Sequence, residues 1–142
     1  MAMQKFTGLV GLDALKKTLK KYSVGAVYIF GTQISGKTTP LSDIDIGIVF
    51  MNQSAKEKDP SGTYTALEDA LKKYFNSPKA RIDIVYLGET SFYFQMNTIK
   101  SGTILYSHGK KFREDYEDYV MMRYLDWKYV EETFNREMME AI

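Results

Sequence analysis

Residues 26–50 read Ala-Val-Tyr-Ile-Phe-Gly-Thr-Gln-Ile-Ser-Gly-Lys-Thr-Thr-Pro-Leu-Ser-Asp-Ile-Asp-Ile-Gly-Ile-Val-Phe. The apolar run at 26–30 is typical of a central strand, and residues 43–50 alternate between polar and apolar for most of their length, which predicts a second strand. A polar loop that begins at Gly31 connects the two. This segment holds most of what the sequence says about both the fold and the site.

Residues 31–38 also match the P-loop pattern, Gly-x₄-Gly-Lys-Ser/Thr. A P-loop works only if its Gly-Lys-Thr begins a long helix whose amides face the phosphates. Here Pro40 disfavours helix immediately after Thr38, and the strand pattern has already started at Asp43. We therefore discount an ATPase or kinase of the P-loop type.

The rest of the chain predicts an α/β (α+β) fold, a small mixed sheet flanked by helices. Its 142 residues fit a single domain spanning 1–142. Gly25 is expected to mark the turn into the first strand, and residues 52–62 read as an exposed loop. The predicted elements are helices at 9–22, 63–75 and 92–99, strands at 26–30, 43–50, 81–87 and 104–106, and a long C-terminal helix at about 110–140.

Composition excludes several classes of protein. The 19 basic and 18 acidic residues nearly balance, which argues against direct nucleic-acid binding. There is no cysteine and only one histidine, His108, so any metal must bind to carboxylates. The apolar stretch near the N-terminus is too short for a signal peptide or a membrane span. We expect a cytoplasmic protein with no membrane partner.

Three aspartates are the candidate metal ligands. Side chains alternate along a strand, so Asp43 and Asp45 point the same way. Asp83 lies between Ile82 and Ile84 in the next predicted strand, and the three carboxylates converge if the strands are neighbours. Three gathered negative charges repel each other unless a cation lies between them. Oxygen ligands of this kind suit Mg²⁺, with Mn²⁺ as the alternative ion.

A purely structural interpretation remains open for each aspartate. Asp43 would then cap a turn, Asp45 would lie on a solvated face, and Asp83 would pair with Arg81 or a lysine. Gly31 and the threonine after it favour the functional interpretation, because glycine lets a backbone approach a phosphate closely and the hydroxyl adds a donor.

On these residues the chain resembles the minimal nucleotidyltransferases (MNT) of the DNA polymerase β superfamily, whose signature is Gly-Ser, about ten residues, Asp-x-Asp and a later aspartate on a strand. The resemblance covers essentially the whole chain, and residues 104–106 and 123–126 resemble the tail of the MNT proteins. The matching positions are Gly31, Thr32, Asp43, Asp45 and Asp83.

The resemblance implies that Asp43, Asp45 and Asp83 bind two Mg²⁺ ions and carry out catalysis, while Gly31 and Thr32 hold the phosphates of ATP. It implies transfer of AMP to a tyrosine of a cognate HEPN-domain toxin, which makes the chain an antitoxin and a candidate member of a hetero-oligomer. The toxin's own Arg-x₄-His-x-Tyr signature is absent here, so the acceptor would come from the partner.

The chain departs from the family pattern after the glycine. Threonine replaces the usual serine, and Gln33 and Ser35 stand where the family often has arginines. Lys37 is the candidate to supply the missing positive charge to the phosphates. These departures favour an alternative, a non-catalytic antitoxin of the same fold that works by contact through its last helix. A further alternative is a small-molecule transferase of the aminoglycoside type.

An apolar stripe follows the C-terminal helix. Its spacings of three, four and seven residues place it on one helix face. Either it packs on the chain's own sheet, with a bend if necessary, or part of it faces a partner, since eight turns exceed the width of a small sheet. The stripe consists of Tyr116, Val120, Tyr124, Trp127, Phe134 and Met138.

Overall fold

The computed structural model describes residues 12–31, 44–76 and 81–141. A turn of 3₁₀ helix, Leu87–Glu89, lies between the strand Ile82–Tyr86 and the helix Phe92–Ser101. The elements in chain order are α1 (Leu12–Lys21), β1 (Val24–Phe30), β2 (Ile44–Phe50), α2 (Ser54–Lys58), α3 (Pro60–Phe75), β3 (Ile82–Tyr86), α4 (Phe92–Ser101), β4 (Thr103–Ser107) and α5 (Lys110–Glu140).

The four strands form one mixed sheet in the order β3-β2-β1-β4. β1 pairs antiparallel with both β2 and β4, whereas β2 and β3 are parallel neighbours. The predicted α/β class, the mixed sheet and the long last helix are therefore confirmed. The pairing of β2 with β3 also meets the condition on which convergence of the aspartates depended.

Helices cover both faces of the sheet. Ile44, Ile46 and Ile48 project from β2 into a core that they share with leucines of α1 and α3. Val49 projects to the opposite face, where α4 and α5 pack. Strand β1 is buried on both sides, which explains its unbroken apolar sequence. The alternation along β2 therefore separates an apolar layer from the layer that contains Asp45.

The turn into β1 was predicted at the wrong residue. Gly25 lies inside the strand, and the turn is made by Tyr22 and Ser23, with Ser23 at a φ of 59°. Gly25 is needed for a different reason, since a Cβ there would overlap the ring of Phe112 on α5. The glycine allows helix and strand to approach each other closely.

The predicted exposed loop at 52–62 is also corrected. Residues Ser54–Lys58 form the short helix α2, and α3 begins at Pro60 instead of residue 63. Asp59 caps α3, because its carboxylate accepts a hydrogen bond from the amide of Gly62 at 3.1 Å. Proline is well tolerated in the first turn of a helix, where its missing N–H is not required. The Asp-Pro pair thus starts a helix here.

Buried hydrogen bonds hold the first half of α5 against the sheet. The hydroxyl of Tyr28 in β1 donates to the carboxylate of Glu117 at 2.6 Å. The hydroxyl of Tyr116 donates to the side-chain oxygen of Gln95 on α4 at 2.7 Å. Val120 is fully buried. Beyond this point α5 leaves the core, so the apolar stripe divides into a packed half and an exposed half.

Among the helices that the structure describes, none combines the length and the apolar character that a membrane span needs.

Two tyrosines, the buried Tyr28 and the half-buried Tyr116, predict how stability depends on pH. Burial, reinforced by Glu117, raises the pKa of Tyr28 and of Tyr116 above the usual value of 10.0. Because folding raises these pKa values, the stabilisation is complete below the unfolded-state pKa and is lost as the pH rises above about 10. We expect the Tyr28→Phe/Tyr116→Phe variant to lose less unfolding free energy than the parent between about pH 9 and pH 11, measured by urea denaturation.

Tyr129→Phe is the matched control, because Tyr129 is exposed on α5. It should keep the parent's pH dependence. An equally steep decline in the double variant would show that these hydroxyls do not cause the effect.

Candidate active site

Asp45 and Asp83 lie directly opposite each other on the parallel strands β2 and β3. Since side chains alternate along a strand, Asp45 shares a sheet face with Val49, the face covered by α4 and α5. Asp45 is half-buried and Asp83 is exposed on the edge strand. Within the described ranges Asp83 forms no ion pair, which does not support the pairing with Arg81.

Gly31 packs against the carboxylate of Asp45. It follows the last residue of β1, Phe30, which is the register partner of Asp45. Gly31 has a φ of +90°, and a Cβ there would overlap the carboxylate oxygen of Asp45. Both the backbone conformation and the space therefore require glycine. The backbone at this point lies next to a carboxylate with no side chain between them.

The structure thus brings together three of the predicted site residues, Gly31, Asp45 and Asp83. The other predicted residues lie outside the described part of the chain and remain predictions. They are Thr32, Lys37 and Asp43, together with the departures Gln33 and Ser35. In the part of the chain that the structure describes, no group of three or more potential metal-ligating side chains occurs.

The arrangement fits a divalent cation. Two carboxylates on adjacent positions of neighbouring strands repel each other, and a hard cation between them relieves that repulsion. Asp45 and Asp83 provide the oxygen ligands that Mg²⁺ prefers, and the open edge at Asp83 leaves room for water or phosphate ligands. The space that a Cβ of Gly31 would fill adjoins the same carboxylate.

Sequence analysis missed a tyrosine near the site. Burial raises the pKa of Tyr64 on α3, and the negative charges of Glu68 and Asp83 add to the shift. Tyr64 therefore lies within electrostatic range of Asp83, and its ring lies 6.3 Å from that of Tyr86 at the end of β3. Nothing in the local pattern around Tyr64 marks it, because its proximity to Asp83 depends on how α3 packs beside β3.

An aromatic cluster between α4 and α5 was missed in part. Tyr124 and Trp127 belong to the predicted stripe, but their neighbour Tyr93 does not. The ring centroids of Tyr93, Tyr124 and Trp127 lie 6.0 to 6.3 Å apart. A cavity of about 450 Å³ is lined by Ser91, Phe92, Tyr93 and Trp127. We call this the aromatic pocket. The two helices meet here only in the folded chain, so spacing along the sequence could not reveal it.

The sequence profile of the polymerase beta nucleotidyltransferase family matches residues 13–111, which include β1 to β4 and the carboxylate pair. The chain belongs to this family. It therefore contains a nucleotidyltransferase domain, as the spacing of the glycine and the aspartates predicted. A comparison with curated protein sequences found no significant match.

Solved toxin–antitoxin structures share the fold. A chain of a toxin–antitoxin structure with AMP-PNP is 17% identical, with a TM-score of 0.61, and the match covers 89% of this chain and 97% of that one. A chain of the Shewanella oneidensis complex between a tri-AMPylated HEPN toxin and its MNT antitoxin is 15% identical, with a TM-score of 0.57 and coverage of 98% and 99%. A chain of an MntA–HepT structure is 16% identical, with a TM-score of 0.56 and coverage of 92% and 98%.

Replacing Gly31 tests the close contact at the site. Gly31→Ala should lower the free energy of unfolding by about 1–2 kcal/mol or more, because alanine is strained at positive φ and its methyl group must displace the Asp45 carboxylate. Urea denaturation measures the change. Gly88→Ala is the control, since a Cβ at Gly88 meets nothing within 4 Å. Equal stability of the two variants would contradict the contact.

Proposed function

We propose that this protein is a Mg²⁺-dependent adenylyltransferase that moves AMP from ATP to a hydroxyl of another protein, a tyrosine of a cognate HEPN toxin, and so acts as an antitoxin. The observation that carries the proposal is the pairing of Asp45 with Asp83 on neighbouring strands, with Gly31 at positive φ packed against the carboxylate of Asp45. The fold shared with the AMP-PNP complex and with the MNT complex of the tri-AMPylated toxin supports ATP as donor and a HEPN protein as acceptor.

Asp45 and Asp83, together with Asp43 of the loop, are the residues proposed to hold the metal. When bound there, Mg²⁺ supplies positive charge that offsets the charge developing on the triphosphate during transfer. Asp45 is fixed by a strand with a buried apolar face, so it holds its oxygens in place. Preorganised ligands of this kind need little rearrangement during reaction.

The chemical step is an in-line displacement at the α-phosphorus. The acceptor oxygen forms a bond to the α-phosphorus, the bond between that phosphorus and the α–β bridging oxygen breaks, and pyrophosphate leaves. Asp83 accepts the hydroxyl proton and passes it to solvent, a role its exposed position on the edge strand allows. Gly31 lets the triphosphate approach the backbone, and Thr32 and Lys37 are proposed to bind its oxygens.

A non-catalytic antitoxin of the same fold is the second candidate. Two observations favour it, the replacement of the family's arginines by Gln33 and Ser35 and the large exposed apolar surface of α5. Such a protein would silence its toxin by contact alone. It would need neither Asp45 nor Asp83.

Labelled ATP separates the candidates. We expect the purified chain with MgATP to transfer label from the α position, and none from the γ position, to the HEPN protein of the same host. Asp45→Asn and Asp83→Asn should each lower the rate by about 10²-fold or more, because each removes a negative charge that binds metal or accepts the proton. Scintillation counting of the separated proteins gives the rate.

Asp118→Asn is the control, since Asp118 is exposed on α5 away from the carboxylate pair. It should transfer at the parent rate. Full activity of Asp45→Asn would refute the site, and label from the γ position would revive the P-loop interpretation. Absence of transfer, with toxin activity still inhibited, would establish the non-catalytic antitoxin.

A further inference from the structure

The second half of α5 is exposed on all sides. Residues 126–140 extend about 22 Å at 1.5 Å per residue, and of these only Thr133 is partly covered. We call this segment the α5 arm. Its large exposed apolar side chains are Trp127, Tyr129, Val130, Phe134, Met138 and Met139. Monomeric proteins seldom leave so much contiguous apolar surface in water without a binding role.

The apolar side chains of the arm are concentrated on one face. Trp127, Val130, Phe134 and Met138 follow one another at spacings of three and four residues, which places them in one stripe. Phe134 and Met138 are 59% and 54% exposed. The part of the stripe on the arm begins at Trp127, which also lines the aromatic pocket. Pocket and stripe therefore form one continuous surface.

The surface contains the residue types that dominate binding energy in protein interfaces. Tryptophan, tyrosine and arginine are the most frequent hot-spot residues, and they act best in pockets from which water is excluded. Trp127 and Tyr93 line the pocket, and the guanidinium of Arg123 stacks 5.4 Å from the ring centroid of Phe92 at its wall. The pocket therefore suits an apolar side chain of another protein.

The direction of α5 relates this surface to the active site. A Cβ on Gly25 would overlap Phe112, and Tyr28, further along β1, bonds to Glu117. Helix and strand thus run the same way, toward the end of β1 that carries Gly31. The helix also covers the sheet face to which Asp45 projects. A protein held on the arm would accordingly be on the side of the molecule where the carboxylate pair lies.

Charge indicates the kind of partner. The arm contains five acidic and two basic residues, a net charge of −3. Pairing two copies of the arm would bring six net negative charges together, which opposes association. Contact between the arm of one copy and the body of another closes into a dimer only when it is reciprocated; an unreciprocated contact forms rings or open filaments. A different protein with basic residues around an apolar groove complements the arm better than a second copy does.

We propose that the aromatic pocket and the α5 arm together form the docking surface for the acceptor protein, and that the acceptor presents a basic surface with an apolar groove. The proposal rests on the proposed function, which supplies the acceptor. A protein docked in this way would present its acceptor hydroxyl to Asp83. The docking contacts themselves would not touch that hydroxyl. It gives specificity through a surface separate from the nucleotide site.

Isothermal titration calorimetry with the purified HEPN protein of the same host tests the docking surface. We expect Phe134→Lys and Met138→Lys to raise Kd by about 30-fold or more, because each places a positive charge in the apolar stripe facing a basic partner. Met139→Lys is the matched control. It makes the same change one residue along, on a face about 100° away, at a side chain that is 70% exposed, and it should bind within about threefold of the parent.

Further measurements separate this proposal from the proposed function. Asp45→Asn should bind with the parent's Kd, and raising the salt concentration should weaken binding, as charge complementarity requires. Unchanged Kd for both stripe variants would overturn the docking surface while leaving transfer intact. Tight, stripe-dependent binding without transfer would support docking and reject catalysis. Light scattering measures the oligomeric state of the chain alone. If the parent were a dimer and Phe134→Lys a monomer, the occupant of the surface would be a second copy and the proposal would be overturned.

Discussion

The repulsion between two carboxylates placed side by side is the constraint on which the rest of the site depends. Parallel pairing of β2 with β3 puts Asp45 and Asp83 at the same level of the sheet. Like charges at such positions destabilise a sheet. On the opposite side of β2, Ile44, Ile46 and Ile48 pack against α1 and α3 and hold the strand in place beside β3. The packing on one side of β2 thus determines where Asp45 lies relative to Asp83 on the other side.

The same separation of layers explains how much the sequence predicts. Alternation at 43–50 predicted the orientation of Asp45, because Ile44, Ile46 and Ile48 must face the core and the residues between them then face the other way. The family spacing identified Gly31 and Asp83 as well. Which strands are neighbours was not visible, because the pairing of β2 with β3 joins segments about 38 residues apart, and local pattern carries no information about such contacts.

The errors were local and share a cause. Gly25 was interpreted as a turn and residues 52–62, which include Pro60, as an exposed loop, since glycine and proline most often interrupt elements. At Gly25 the requirement is close packing of Phe112 from α5, which lies more than 80 residues away. At Asp59 a side-chain cap turns the same composition into the start of a helix. In both places a specific contact overrides the average preference of the residue type.

Helix α5 joins two tasks that are usually assigned to different parts of a protein. Its first half is fixed to β1 by the bond from Tyr28 to Glu117 and to the core by the buried Val120. Its second half carries apolar surface that the chain itself does not cover. A continuous helix is stiff over this length, so a position on the arm is defined relative to β1 and hence to Asp45. For the proposed acceptor, the accuracy with which a docked hydroxyl reaches the carboxylate pair would therefore depend on the contacts in the first half of the helix. A rigid helix confines a docked protein to a narrower range of positions than a flexible tether would.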